Sequence, residues 1–235
     1  MNEKKRKTFL MWSETEEHHR RLEEAKAIIA IALNNFKKPY VAYSGGKDSL
    51  CLLHLTLQQK PDVTIIHWDY GPYFMPREIE NEILENARKI GAKNIQIYTS
   101  NLYLKLQRKA RNILGSIFLE KIVPQLAKEG FDCCLLGLRA EESSRRKTKT
   151  KNPFKEEKGI INVTPLRSWK WIDCWAYIVK NNLPYPSVYD KYAEVIGYDK
   201  ARLVTFFDKE FEWTGAPLLD GILMTKHKNI NRASR

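Results

Sequence analysis

Apolar residues fall in two alternating rhythms along this chain: short unbroken runs, and longer stretches in which they recur every three or four positions. The runs at 40–43, 63–68, 95–98 and 131–136 read as buried strands, with a shorter one at 160–163. Between them the spacing is helical. Leu22, Ala25, Ile29, Ala32, Leu33 and Phe36 share one face of a helix predicted over 13–36, with Ser13 and Glu16 at capping-box spacing. Helices follow at 48–59 and at 76–90, where Ile79, Ile83, Ala87 and Ile90 align and Gly91 closes the element. Residues 102–129 read as helical with a break near Gly115, 138–160 as a polar basic loop, and 169–181 as a further helix. From Leu183 onward the pattern suits short helices and turns.

Strands alternating with helices imply right-handed crossovers, hence an α/β fold: a parallel twisted sheet with helices on both faces. Ligands in such sheets bind beyond the carboxyl ends of the strands, so the tips after Tyr43, Trp68, Tyr98 and Leu136 should surround one cleft. The chain divides into an N-terminal helix over 1–37 packed on the core, the α/β domain proper over 38–192, and a helical or irregular extension of it over 193–235.

The chemistry concentrates after the first strand, where residues 44–49 read Ser-Gly-Gly-Lys-Asp-Ser. Two adjacent glycines let the backbone turn tightly and approach a ligand. Successive N–H groups there can form an anion nest, and the following helix would aim its positive end at the same point. Lys47 adds a mobile cation, and Ser44 and Ser49 add hydroxyl donors. A plain strand-to-helix turn capped by Asp48 is the alternative, but the six-residue string in this context favours a phosphate or pyrophosphate.

Two further constellations should face the same cleft. Asp69, at the tip of the second strand, could hold Mg²⁺ or a substrate hydroxyl, or could merely shape the turn before Pro72. Beside it, His67 reads as a structural histidine. The fourth strand leads into Gly137, where the backbone leaves the sheet, and then into Arg139, Ser143 and Arg146. The two arginines can clamp a phosphate or sulfate in fork geometry, with Ser143 as a further donor.

Composition narrows the partners. The formal net charge of +12 favours polyanions, and the basic segment 145–158 adds nucleic acid as a candidate partner, although it lacks a stacking-aromatic pattern. The four cysteines, Cys51, Cys133, Cys134 and Cys174, lack metal-ligand spacing and read as buried thiols, so no iron–sulfur cluster is expected. No apolar stretch reaches membrane-spanning length and no secretory pattern opens the chain, so a cytoplasmic protein without a membrane partner is expected. A homo-oligomer stays open.

The Ser-Gly-Gly-Lys-Asp-Ser string resembles the PP-loop of the ATP pyrophosphatase superfamily. Together with the Gly-Leu-Arg-x-Glu-x-Ser-x-x-Arg segment from Gly137 to Arg146, it resembles the phosphoadenosine phosphosulfate (PAPS) reductase family within it. Asp69-Tyr70-Gly71 resembles that family's Asp-Thr-Gly. Thr164-Pro165-Leu166, Asp173-Cys174-Trp175 and Leu183-Pro184-Tyr185-Pro186 resemble its later segments, over about residues 38–192 in all. The resemblance implies an adenine nucleotide alpha hydrolase-like, Rossmann-like fold. It implies nucleotide contacts at Ser44, Gly45, Gly46, Lys47, Asp48 and Ser49, with Arg139, Ser143 and Arg146 near the sulfate or phosphate end.

Two departures bear on activity. The reductases carry a catalytic cysteine near their C-terminus, and no cysteine follows Cys174 here. Their glycine loop tends to be degenerate, and this one is intact. Both resemble the ATP-using relatives, which imply an adenylyltransferase with Lys47, Asp48, Arg139 and Arg146 in catalysis, ATP (or PAPS or APS, adenosine 5'-phosphosulfate) as the nucleotide, and a sulfate, phosphate or other anion as acceptor. Mg²⁺ would bridge the phosphates, with Asp48 or Asp69 as ligand. The alternatives are a reductase that borrows a partner's thiol, and a non-enzymatic nucleotide- or nucleic-acid-binding module.

Overall fold

The structure, a computed structural model, describes residues 1–72, 74–106, 109 and 116–203, apart from the side chain of Arg145. Six strands, β1 (Pro39–Tyr43), β2 (Thr64–Asp69), β3 (Ile95–Thr99), β4 (Cys133–Leu136), β5 (Phe154–Glu157) and β6 (Ile160–Val163), form one sheet in the order β3-β2-β1-β4-β6-β5. All pairings are parallel except that of β5 with β6. The helices are α1 (Glu3–Ser13), α2 (Glu16–Asn35), α3 (Lys47–Gln59), α4 (Arg77–Lys89), α5 (Asn101–Leu106), α6 (Val123–Lys128), α7 (Ser144–Lys149), α8 (Trp171–Lys180) and α9 (Val188–Ile196). A π turn at Phe118–Ile122 leads into α6.

The central strand explains why its sequence is apolar throughout. Val41 and Tyr43 point into a large core with Leu50 and Leu53 of α3, Ile65, Leu135 and the α8 residues Trp175 and Ile178. Tyr40 points the other way, into a smaller core with Ile66, Leu126, Phe131 and Ile160, its ring edge-on to Phe131 at 5.4 Å. A strand buried on both faces cannot alternate with polar residues. Each such side chain contributes about 1.5–3 kcal/mol by leaving water.

Three parts of the fold differ from the sequence pattern. The N-terminal region is two helices, because Thr15, not Ser13, caps α2: its hydroxyl accepts from His18 N, while the Ser13 hydroxyl is spent on Leu10 O. α1 then lies across α8, with Phe9 stacked 6.3 Å from Trp175. Buried Asp173 of α8 ties α1 and α2 down, accepting from Trp12 Nε1 at 2.7 Å and Arg21 Nη1 at 2.8 Å and pairing with His18 Nδ1 at 3.0 Å. The basic segment 138–160 is folded: a 3₁₀ turn at Ala140–Glu142, then α7, then β5 hairpinned to β6. The two-residue turn Lys158–Gly159 has positive φ at both positions (56° and 80°), which matches the twist of a tight hairpin. α9 runs without interruption across the boundary expected at residue 192. The expected break near Gly115, and the extension beyond residue 203, lie outside the described residues.

The connections from β1 run through β2 to β3 on one side, while β4 lies on the other side of β1. The carboxyl ends of β1 and β4 therefore flank the point where the winding reverses, which is where open α/β sheets hold ligands. No helix among the described residues is long and apolar enough to cross a membrane.

Candidate nucleotide-binding site

A cavity of about 500 Å³ opens at that point. Its floor is the loop between β1 and α3. Gly45 has a φ of +75° and packs so closely on α4 that a Cβ there would lie 2.5 Å from the Ile83 side chain, so only glycine fits. Gly46 is the N-cap of α3, with ordinary φ (−69°) and no side chain to close the helix end. Ser49 Oγ donates to Gly46 O at 2.9 Å and accepts from Ser44 N at 3.3 Å, which pins the turn. Ser44 Oγ lies 3.1 Å from Ser49 Oγ at its exposed lip. Lys47 N–H donates to the hydroxyl of Tyr189 on α9 at 2.9 Å. The loop thus sets the N-terminus of α3 at the cavity, with its first amide capped by the Tyr189 hydroxyl.

Lys47 differs from the mobile cation expected. Its side chain is buried, and Nζ lies 3.2 Å from Asp48 Oδ2. Burial alone would push the ammonium pKa down; Asp48 and other neighbours outweigh it, so the pKa lies above the ordinary lysine value and the charge is held. Asp48 is the centre of a buried network. Its Oδ1 accepts from Arg139 Nε at 2.6 Å and from the Cys174 thiol at 3.0 Å. Burial raises the carboxyl pKa, but the Lys47 and Arg139 cations reverse that and bring it down to about 2.

Arg139 is likewise engaged elsewhere than expected. It was expected to clamp an anion, but its guanidinium is buried against Asp48 and, at 2.5 Å, Glu141. It works as a strut from the end of β4 to the first turn of α3, and the same Glu141 carboxylate accepts the Trp171 N–H that opens α8. Gly137 makes that approach feasible: a Cβ there would lie 3.0 Å from the Asp48 carbonyl carbon and the Ser49 nitrogen. Its role is therefore close packing of β4 under the loop, beyond the backbone exit read from the sequence.

Arg146, the other arginine expected to clamp an anion, is more accessible. It lines the cavity, is 40% exposed, and pairs with Glu142 at 2.8 Å. Ser143 caps α7 by accepting Arg146 N–H at 3.1 Å. Asp69 takes up its turn alternative: Arg77 grips it through both guanidinium nitrogens at 2.8 and 3.0 Å, and Gly71 N–H donates to it at 2.7 Å. Burial raises its pKa, and those donors lower it below the ordinary aspartate value. His67 is structural in its contacts, spanning Tyr43 O at 2.8 Å and Glu80 at 2.5 Å.

Both carboxylates expected to hold Mg²⁺ are thus already paired with cations of the chain, Asp48 with Lys47 and Arg139 and Asp69 with Arg77. Among the described residues no group of three or more His, Cys, Asp or Glu could hold a metal. An all-protein metal cage is therefore absent among the described residues.

Several lining residues escaped the sequence reading. Trp68, Tyr70 and Phe118 form an aromatic wall, with Trp68 5.5 Å from Phe118 and edge-on to Tyr70 at 6.4 Å. Tyr189 and Arg202 also line the cavity. Tyr189 follows the Leu183-Pro184-Tyr185-Pro186 segment by three residues and Arg202 lies beyond it, but neither reads as a site residue from its neighbours; the strand-tip position of Trp68 and Tyr70 was the usable signal.

The model of the phosphoadenosine phosphosulfate reductase domain matches residues 38–200. An adenosine 5'-phosphosulfate reductase of Bacillus mycoides is 30% identical over 213 residues, covering 83% of this chain and 88% of the relative. One from a Geobacillus species is 27% identical over 208 residues, 81% and 86% respectively. Among solved structures, the PAPS reductase of Candida auris in a phosphate complex covers 71% of this chain and 83% of its own, with a TM-score of 0.52 at 21% identity. A U34-tRNA thiolase from Methanococcus maripaludis with a [4Fe-4S] cluster covers 91% and 80%, with a TM-score of 0.52 at 17% identity. The two structures are alike in fold. With the glycine loop after β1, the arginine segment after β4 and the family model spanning both, the chain belongs to the phosphoadenosine phosphosulfate reductase domain family.

Proposed function

We propose that this chain binds ATP with its phosphates against the 44–49 loop and transfers the adenylyl group to an anionic acceptor, releasing pyrophosphate. The cavity volume of about 500 Å³, lined by both aromatic side chains and a glycine-rich helix N-terminus, suits an adenine nucleotide. The observation that carries the reading is the state of the thiols. All four cysteines of the sequence are buried. Burial pushes Cys134 up to about 12 and Cys174 well above the ordinary thiol value, and the Cys174 hydrogen is committed to Asp48. Thiol reduction of a phosphosulfate anhydride needs an exposed, activated thiolate, and none of these four buried cysteines supplies one.

In this reading the acceptor oxygen attacks the α-phosphorus, the bond to the bridging oxygen of the β-phosphate breaks, and pyrophosphate leaves with the electron pair. The loop amides and the Lys47 cation stabilise that developing charge. Arg146, at the mouth, holds the acceptor anion. Asp48 and Arg139 hold Lys47 and the first turn of α3 in place. No step is assigned to Mg²⁺, because Asp48 and Asp69 are engaged.

A second reading is favoured by the relatives, which are named as adenosine 5'-phosphosulfate reductases: reduction of APS or PAPS with a thiol supplied by a partner. Parallel assays of ATP with sulfate, phosphate or other anionic acceptors, and of APS and PAPS with a dithiol protein, separate the two. Pyrophosphate release is the expected result. Dithiol-dependent sulfite production would overturn the proposal in favour of the second reading.

A further inference from the structure

We propose that the Tyr189 hydroxyl is itself a phosphate-binding group of this site, donating its O–H to the ligand's phosphate in place of the loop amide it has taken up. The proposal rests on the nucleotide reading above and names a contact that no motif in the loop supplies. Tyr189 Oη accepts Lys47 N–H at 2.9 Å and Leu203 N–H at 3.2 Å. A phenol oxygen has two acceptor positions and one hydrogen. Both acceptor positions are taken, so the hydrogen points away from both amides, and no described residue accepts it. Burial raises the phenol pKa, which keeps the hydroxyl neutral and able to donate.

The direction left to it is the cavity. A Cβ built on Gly46 would lie 3.5 Å from both Tyr189 Oη and Ser44 Oγ, so the two hydroxyls converge over the space that the missing side chain leaves open. Both residues line the cavity. The ring is held by edge-on contacts with Trp175 at 5.3 Å and Tyr185 at 6.5 Å. Lys47 N–H belongs to the first residue of α3, one of the amides an anion at that helix end would otherwise use. The chain of donors, amide to hydroxyl to anion, carries the helix end's positive character about one hydrogen bond further into the cavity, and each bond polarises the next. Leu203 ties the same oxygen to the segment carrying Arg202, so cation and hydroxyl are placed together.

Tyr189→Phe removes the hydroxyl and keeps the ring. Titrations of the wild type and the variant with ATP, inorganic pyrophosphate and adenosine test the proposal. ATP and pyrophosphate should bind roughly 10- to 100-fold more weakly to the variant, as for a lost hydrogen bond to a charged group, while adenosine is unaffected. Unchanged ATP and pyrophosphate affinity, or an equal loss for adenosine, would overturn it. Should the variant not fold, site-specific 3-fluorotyrosine at position 189 keeps the hydroxyl. Its ¹⁹F resonance should shift with pyrophosphate and not with adenosine, and a resonance unmoved while pyrophosphate binds by calorimetry overturns the proposal. A wild type that binds neither ATP nor pyrophosphate refutes the nucleotide reading itself, and this contact with it.

Discussion

Asp48→Asn keeps the side-chain shape and removes one charge from the network beneath the loop. An ordinary aspartate titrates near 3.8 and Asp48 near 2. The side chain is only 16% exposed, so solvent screening is small. By linkage the depressed pKa corresponds to about 2 kcal/mol of stability at neutral pH. The sign is that of a carboxylate favoured in the folded state: the contribution is complete above about pH 5, about half remains at pH 3, and it is nearly gone at pH 2. Leaving the Lys47 and Arg139 cations with one partner fewer adds a cost that does not vary over this range, so the pH-dependent part is diagnostic. Urea unfolding of both proteins at pH 7, 5 and 3 measures it. The gap between them should shrink by about 1 kcal/mol from pH 7 to pH 3. A gap that is constant with pH, or absent at pH 7, would refute the claim that Asp48 is a buried ion-pair centre.

Three other substitutions, with one control, probe the same architecture. Gly45→Ala forces a side chain into the left-handed region and onto Ile83, and should destabilise by roughly 1–3 kcal/mol in thermal or urea unfolding. Gly137→Ala places a methyl 3.0 Å from the backbone of Asp48 and Ser49, and should lower both stability and nucleotide affinity, whereas equal nucleotide binding would show that β4 does not support the loop. Arg146→Lys keeps the charge but loses the fork, and acceptor binding measured by competition should weaken by roughly 1–3 kcal/mol. Lys147→Gln, on the exposed part of the same helix, should change it little, and equal small effects at both positions would place the acceptor elsewhere.

The legible parts of this fold are those where one local signal decides. Strands such as β1 and β4 are apolar because both faces are covered, and the loop at 44–49 declares its turn through two glycines. α1 was hidden by Lys4, Lys5, Arg6 and Lys7, which mask the single buried Phe9 that docks it. β5 was hidden because Lys155, Glu156 and Glu157 read as loop; its strand conformation comes from pairing with β6, a tertiary cause. Arg139 shows the same limit within the site. The sequence reveals a fork-shaped cation at a strand tip, but its partner Asp48 is 91 residues away, and that pairing turns a candidate anion clamp into a strut. Tyr189, three residues past the Leu183–Pro186 segment, and Arg202 are not marked as site residues by their neighbours, since the packing of α9 and the segment after it brings them to the cavity.

Calorimetric titration with ATP of the wild type and of Gly46→Val, matched for melting temperature, tests the central claim most directly. Gly46 has ordinary φ and no atom closer than 3.5 Å to an added Cβ, so the variant should fold, while its branched side chain fills the space that the phosphates need. Saturable ATP binding to the wild type, weakened at least about tenfold in the folded variant, is the predicted result, equivalent to at least about 1.4 kcal/mol. Equal affinity in the two proteins would contradict the placement of the phosphates on this loop.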